Sequence, residues 1–379
     1  MPISIAVPKE RAPGERRVAL VPEVVSRMSK DGYELLIERG AGSSSFNSDQ
    51  SYRDAGAAIV DEPEELFRAD IVAKVNAPLA DELSRYRKSQ ILIAFLHPHR
   101  SRETIAELRD RGVTSFAMER IPRISRAQSM DALSSQATVA GYKAALMAAD
   151  LCPGFFPMLT TAAGTIRPAR VLVLGAGVAG LQAIATARRL GAIVEAYDVR
   201  RAAREQVESL GAKFLQVEMD AEAKGGYARE LTNDEKEREQ VLLRETIGRS
   251  DVVITTAQIP GRPAPILLTA AAVERMKAGS VVLDLAAESG GNCELTRPGG
   301  KIDYRGVMIY GPLNVPSLLP VHASVMYAKN LQNFLGLLRA PDGALRVDVS
   351  DEILAESVVT HAGAIPSQAV LQAIGEVHA

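Results

Sequence analysis

Gly175, Gly177 and Gly180 are the residues whose spacing first points to chemistry, with Asp198 standing 18 positions beyond the last of them. The run Gly175-Ala176-Gly177-Val178-Ala179-Gly180 has the glycine pattern that lets a chain hold a pyrophosphate. The first glycine permits a tight turn, the second lets backbone approach the phosphates, and the third lets a helix pack close to a strand. A helix starting at Val178 offers free N–H groups and a positive dipole end to the anion. Asp198 is placed to accept both ribose hydroxyls of an adenosine. An acid there repels a 2′-phosphate, so NAD(H) is expected rather than NADP(H). Arg200, Arg201 and Arg204 are the contrary signal, because arginine accommodates that phosphate.

The neighbouring sequence supplies the elements such a site needs. Arg170–Leu174 is a Val/Leu-rich run that reads as a buried strand, and from Val178 to Leu190 the apolar positions fall at helical spacing. Gly191 ends that helix, and Ala192–Tyr197 reads as a second strand running into Asp198. The alternative is an ordinary tight βα turn with no ligand. The terminal acid, taken with the strand–turn–helix–strand context, weighs against it. Further strands are expected at 213–217, 251–255, 281–285 and 307–310, giving the six of a doubly wound dinucleotide fold. Ligands in such sheets lie beyond the carboxyl ends of the strands. That adds Val199, Arg200, Ala257, Gln258 and Asn314 to Gly175, Gly177, Val178, Ala179, Gly180 and Asp198 as candidate cofactor contacts.

Two polar stretches are ambiguous. Glu119–Ser135 gathers Arg120, Arg123, Arg126, Gln128, Asp131 and several serines just before a helical pattern at 136–150. It is either a polar segment at a domain junction, where clefts form, or a solvated loop with a capping motif. Between Val217 and Asp251 the chain spends 33 mostly polar residues, as a charged surface helix or as a flap hinged at Gly225-Gly226 before Tyr227. Lys74 and His97 fall at the ends of first-domain strands. They are either a carboxylate-binding and acid–base pair or a phosphate- or solvent-facing one. The five histidines show no metal-ligand spacing and there is no HExxH or GxSxG motif, so no metal is expected.

The whole chain reads as two α/β domains. Its 379 residues exceed one ordinary core. Strands at 3–7, 33–38, 57–60, 70–75, 90–95 and 113–117 alternate with helical patterns starting at Pro22 and at 64–68, 79–88 and 101–109, which implies a parallel sheet. The expected division is 1–134 with 320–379 as a discontinuous first domain, and 135–319 as the dinucleotide-binding domain. The expected architecture is two Rossmann-like domains, each a mostly parallel sheet with helices on both faces and a cleft between them. The last 40 residues, after a helix at 327–338, read as short strands and turns. Composition is that of an ordinary water-soluble protein, 47% apolar and 24% charged. Nothing in a formal charge of −2 suggests a nucleic-acid surface, and two cysteines exclude a disulfide framework and fit a reducing compartment. The start MPISIAVPKER has no signal-peptide core. The two long charge-free stretches, 171–187 and 306–328, carry Gly, Gln, Pro, Asn and His that disfavour a lipid-spanning helix.

At this level of detail the chain resembles the NAD(H)-binding component, domain I, of proton-translocating nicotinamide nucleotide transhydrogenases. The resemblance rests on PKERAPGERRVAL, PRISRAQSMDALSSQ, FFPMLTTAAGTIRPARVLVLGAGVAGLQAIATARRLGA, YDVR, GGYA, ITTAQIPG and DLAAESGGNC. The wider relatives are alanine dehydrogenases, which share the two-domain build and elements matching Arg17, Lys74 and His97, but not the PRISRAQSMD segment. The resemblance implies direct hydride transfer from NADH to NADP⁺ held on a partner domain, with no acid–base residue. By it, Arg123, Gln128, Asp131 and Ser134 hold the nicotinamide, Asp198 takes the adenosine ribose, and a loop carrying Gly226 and Tyr227 closes over the nucleotide. It further implies a homodimer, proton translocation by membrane subunits encoded apart, and a cytoplasmic location at the inner face of the membrane through those subunits, without direct membrane insertion. An alanine dehydrogenase is the alternative.

Overall fold

The computed structural model describes residues 2–216, 233–258 and 263–376, and the chain divides into two compact units. One comprises Met1–Gln136 with Pro316–Ala379, the other Ala137–Val315. These boundaries stand beside the expected 134/135 and 319/320. The proposed flap residues Gly225, Gly226 and Tyr227 lie outside the described residues, as does Val217.

In the first unit the β-branched and leucine runs become seven strands. Their spatial order is Val358–Thr360, Thr114–Ala117, Ile91–Phe95, Ile71–Asn76, Ser4–Val7, Glu34–Glu38 and Ala58–Val60. All pairings are parallel except that of Val358–Thr360 with Thr114–Ala117. Alternation sends Ile5, Val7, Ile71, Ala73, Ile91 and Ile93 to one face, where they meet Tyr327, Leu331 and Phe334 of the helix Pro320–Gly336. Ala6, Val72, Leu92 and Ala94 face the other layer, with Ile105, Leu108, Val370 and Ile374. Burial on both faces explains why these strands read as near-continuous apolar runs.

The second unit has the spatial order Lys213–Phe214, Ile193–Tyr197, Arg170–Leu174, Val252–Thr255, Val281–Asp284, Val307–Tyr310, Lys301–Tyr304. The first six are parallel and the last is antiparallel. Val171 and Val173 pack under Ala183, Ile184 and Ala187 on one side, while Leu172 and Leu174 pack with Ile247 and Val273 on the other. A separate hairpin pairs Leu159–Thr161 with Gly164–Ile166.

Three element expectations need correction. The last 40 residues form two helices, Glu352–Ser357 and Gln368–Ile374, around one strand, rather than strands and turns alone. Asp351 caps the first by accepting the N–H groups of Ile353 and Leu354, a start signal that its short span conceals. The helix expected at 79–88 shrinks to a 3₁₀ turn at Leu83–Arg85, because Glu82 is drawn inward to the Leu79 N–H and to Lys74. Lys301–Tyr304 is an added edge strand. Its hairpin turns through Arg305 and Gly306, both at positive φ, the two-residue geometry that matches strand twist.

Candidate functional site: the glycine turn and its strand ends

The strand Arg170–Leu174 delivers the chain into Gly175, whose φ of 99° is a left-handed conformation that a side chain would strain. The Gly175 N–H donates to the Tyr197 carbonyl at 2.8 Å, tying the turn to the neighbouring strand. Gly177 caps the helix Val178–Arg189, and nothing among the described residues lies within 4 Å of where its Cβ would stand. The turn is therefore open above Gly177, as a backbone-held diphosphate requires. Gly180 is closed instead: a Cβ there would sit 1.9 Å from the Gly175 carbonyl oxygen. The tight turn at Gly175 and the close helix packing at Gly180 are thus both present, with free space at Gly177.

Asp198 follows the strand Ile193–Tyr197 and turns back onto the turn. Its Oδ2 accepts the Ala176 N–H at 2.7 Å, and its Oδ1 accepts the Arg200 N–H at 2.8 Å. The Arg200 guanidinium donates to both oxygens at 3.0 Å. Burial raises the acid's pKa, but the Arg200 guanidinium and the two N–H donors outweigh it and hold the carboxyl below its usual range. Arg200, the contrary signal for a 2′-phosphate, is thus folded onto Asp198. The Arg200 side chain is 60% exposed, whereas that of Asp198 is 6% exposed. Val178 and Val199 are exposed, and Ala179 is partly buried.

The adjoining strand on the other side of the turn, Val252–Thr255, ends in Thr256-Ala257-Gln258. The Thr256 hydroxyl donates to the Gly175 carbonyl at 3.0 Å, so this strand end abuts the glycine turn. The Gln258 amide donates to the Leu285 carbonyl at 3.0 Å. Asn314 holds a φ of 44° and donates its N–H to Glu288 at 2.6 Å.

Behind this turn lies a group that sequence reasoning missed. Asp284, fully buried at its strand's end, accepts five donors. Oδ1 takes the Thr255 hydroxyl and the Ala286 N–H, and Oδ2 takes the N–H groups of Asn292 and Cys293 and the Thr296 hydroxyl. Buried Asn292 accepts the Ala257 N–H at 3.0 Å and donates to the Ala257 and Pro265 carbonyls, each at 2.8 Å. Asp284 and Asn292 both fall in DLAAESGGNC, one of the motifs that carry the resemblance, but nothing in their type or spacing gave either of them a role.

In the first unit, Arg123 and Gln128 are exposed, and Ser125–Met130 is a run of 3₁₀ turns. Asp131 accepts the Ser134 N–H at 2.8 Å and its hydroxyl at 2.6 Å, which is a capping arrangement at the start of the helix Ala132–Leu151. Asn330 and Asn333 both donate to the Ser129 carbonyl, at 2.8 and 3.1 Å, and moor the segment to the helix Pro320–Gly336. Lys74 is not a solvent-facing residue. Its side chain is 2% exposed, with the amine 3.2 Å from Glu82 and 3.9 Å from Glu10. His97 is partly exposed at a φ of 45° and lies 3.9 Å from Glu119. Among the described residues no group of three or more His, Cys, Asp and Glu could hold a metal ion.

Comparison with known proteins places both units. The alanine dehydrogenase/PNT N-terminal domain model matches residues 6–140, and the corresponding C-terminal domain model matches residues 144–368. An NAD(P) transhydrogenase alpha-subunit protein of Rhodospirillum rubrum is 47% identical over 375 residues, covering 96% of this chain and 97% of that protein. A solved transhydrogenase from Sinorhizobium meliloti superposes with a TM-score of 0.88 at 45% identity, over 96% of this chain and 99% of that one. A solved L-alanine dehydrogenase superposes with a TM-score of 0.85 at 27% identity, over 98% and 99%.

Proposed function

The chain belongs to the alanine dehydrogenase/PNT family, and from that premise we propose that it is the NAD(H)-binding component of a transhydrogenase. One observation carries the reading: an open backbone turn at Gly177 faces a helix start, with the Asp198 carboxylate at the adjoining strand end. Such a turn binds the pyrophosphate, and the acid takes the adenosine ribose and excludes a 2′-phosphate. A hydride then passes from the C4 of NADH to the C4 of NADP⁺ held on a partner domain, leaving NAD⁺ and NADPH with no net proton. This chain therefore needs to hold and orient its nucleotide rather than supply an acid or base. Arg123, Gln128, Asp131 and Ser134 are assigned to the nicotinamide. Asp131 and Ser134 begin from a mutual bond that ligand amide groups would have to share or replace. Membrane subunits couple the transfer to proton movement and hold the chain at the inner face of the membrane. Among the described residues no helix is long and apolar enough to cross a membrane.

The alanine dehydrogenase alternative has less behind it. Its relatives are more distant, and the Lys74 amine is already engaged by two carboxylates. Mixing the purified chain with a transhydrogenase NADP(H)-binding domain should give hydride exchange between the two nucleotides. Turnover of the chain alone with pyruvate, ammonia and NADH would overturn the assignment.

A further inference from the structure

We propose that Asn292 is a positioning residue for the nicotinamide half of the dinucleotide, acting through the backbone of Ala257; this rests on the dinucleotide reading of the second unit. A doubly wound sheet is two mononucleotide-binding halves. The half carrying the glycine turn and Asp198 takes the adenosine diphosphate side. The half built on Val252–Thr255 and Val281–Asp284 is left for the nicotinamide side, and its first strand end is Thr256-Ala257-Gln258. The Thr256 N–H still donates to the Leu174 carbonyl at 2.9 Å, but from Ala257 onward the ladder has ended, so something else must orient the peptide groups.

Here a side-chain amide does so. Asn292 uses its acceptor and both its donors: the oxygen receives the Ala257 N–H, and the nitrogen serves the Ala257 and Pro265 carbonyls. Ala257 is thus held at both its N–H and its carbonyl, as if by a paired strand. Asn292 itself cannot swing, because its own N–H is bonded to buried Asp284 at 2.7 Å and its carbonyl accepts the N–H groups of Leu267 and Leu268. Asp284 in turn holds Thr255, whose register partner it is across the two strands. The chain of contacts ends at the glycine turn. A Cβ on Gly175 would stand 2.7 Å from the Thr256 hydroxyl and 3.2 Å from the Ala257 nitrogen, while the turn keeps its own tie to Asp198 through the Ala176 N–H. An arrangement this satisfied leaves no slack, and small misplacements at a reacting centre are costly in rate.

The test separates positioning from general loss of fold by using two nucleotides. ADP probes the glycine turn and Asp198 alone, and NADH probes both halves. For Asn292→Ala, NADH affinity by fluorescence titration should fall at least tenfold, while ADP affinity by calorimetry stays within twofold of the wild type. If Asn292→Ala does not fold, Asn292→Ser should show the same split at about threefold. Parallel loss of NADH and ADP binding, or unchanged NADH binding by the folded variant, overturns the proposal. A wild-type chain that binds neither nucleotide overturns the dinucleotide site itself, and the proposal with it.

Discussion

Asp198 concentrates the selectivity question in one carboxylate. Its four acceptor positions are filled by Ala176 and Arg200, and only the Arg200 side chain is free to leave. Asp198→Asn should weaken NADH binding about tenfold and narrow its preference over NADPH, whereas Arg200→Ala should leave NADH binding intact or tighter. Paired fluorescence titrations read both. A second residue-scale prediction concerns pH. Buried Glu15 is lowered to about 2: burial raises it, and the hydrogen-bonded Arg17 guanidinium overrides that. Its contribution, on the order of 3 kcal/mol, is full above the ordinary glutamate range and is lost as pH falls toward 2. Glu10 is shifted the other way, raised by burial despite Lys74 and the Val75 N–H. Its contribution is present at low pH and is lost as pH rises through its folded pKa. Glu10→Gln removes that loss, so melting curves should show the variant gaining on the wild type as pH rises from 4.5 toward neutrality.

At the scale of elements, the helix Ala132–Leu151 meets the helix Val178–Arg189 backbone to backbone. A Cβ on Gly141 would sit 2.0 Å from the Ala179 carbonyl oxygen, deeper than any rotamer can relieve. Gly141→Ala should therefore cost about 2–3 kcal/mol, seen in denaturant midpoint, by pushing these helices apart. Because Ala179 lies in the first turn of the helix Val178–Arg189, which the proposed function sets against the pyrophosphate, NADH affinity should fall too. Nothing in the local pattern marks Gly141. A single glycine in a helical run only lowers propensity, and its reason is a partner helix that begins at Val178.

For the molecule as a whole, the hairpin Leu159–Ile166 pairs, among the described residues, only with itself, and Phe155, Met158 and Ile166 around it are 55%, 62% and 43% exposed. Isolated hairpins are marginal in water, and exposed apolar side chains beside one are suited to cover by a partner surface. We expect a homodimer, and a monomer in sedimentation equilibrium at micromolar concentration would refute it. The sequence alone determined the two α/β units, the six parallel strands of the second and the glycine turn with its acid, because hydrophobic period, turn glycines and a strand-end charge are local signals. Its blind spots have one physical cause. Asn292 and Ala257 are 35 residues apart, Asp284 and Thr255 are 29 apart, and Lys74 is claimed by Glu10 from another strand's end. Whether a lysine faces ligand or carboxylate, and which amide orients a strand end, depends on side chains brought together only when the sheets form, so the tertiary structure alone decided them.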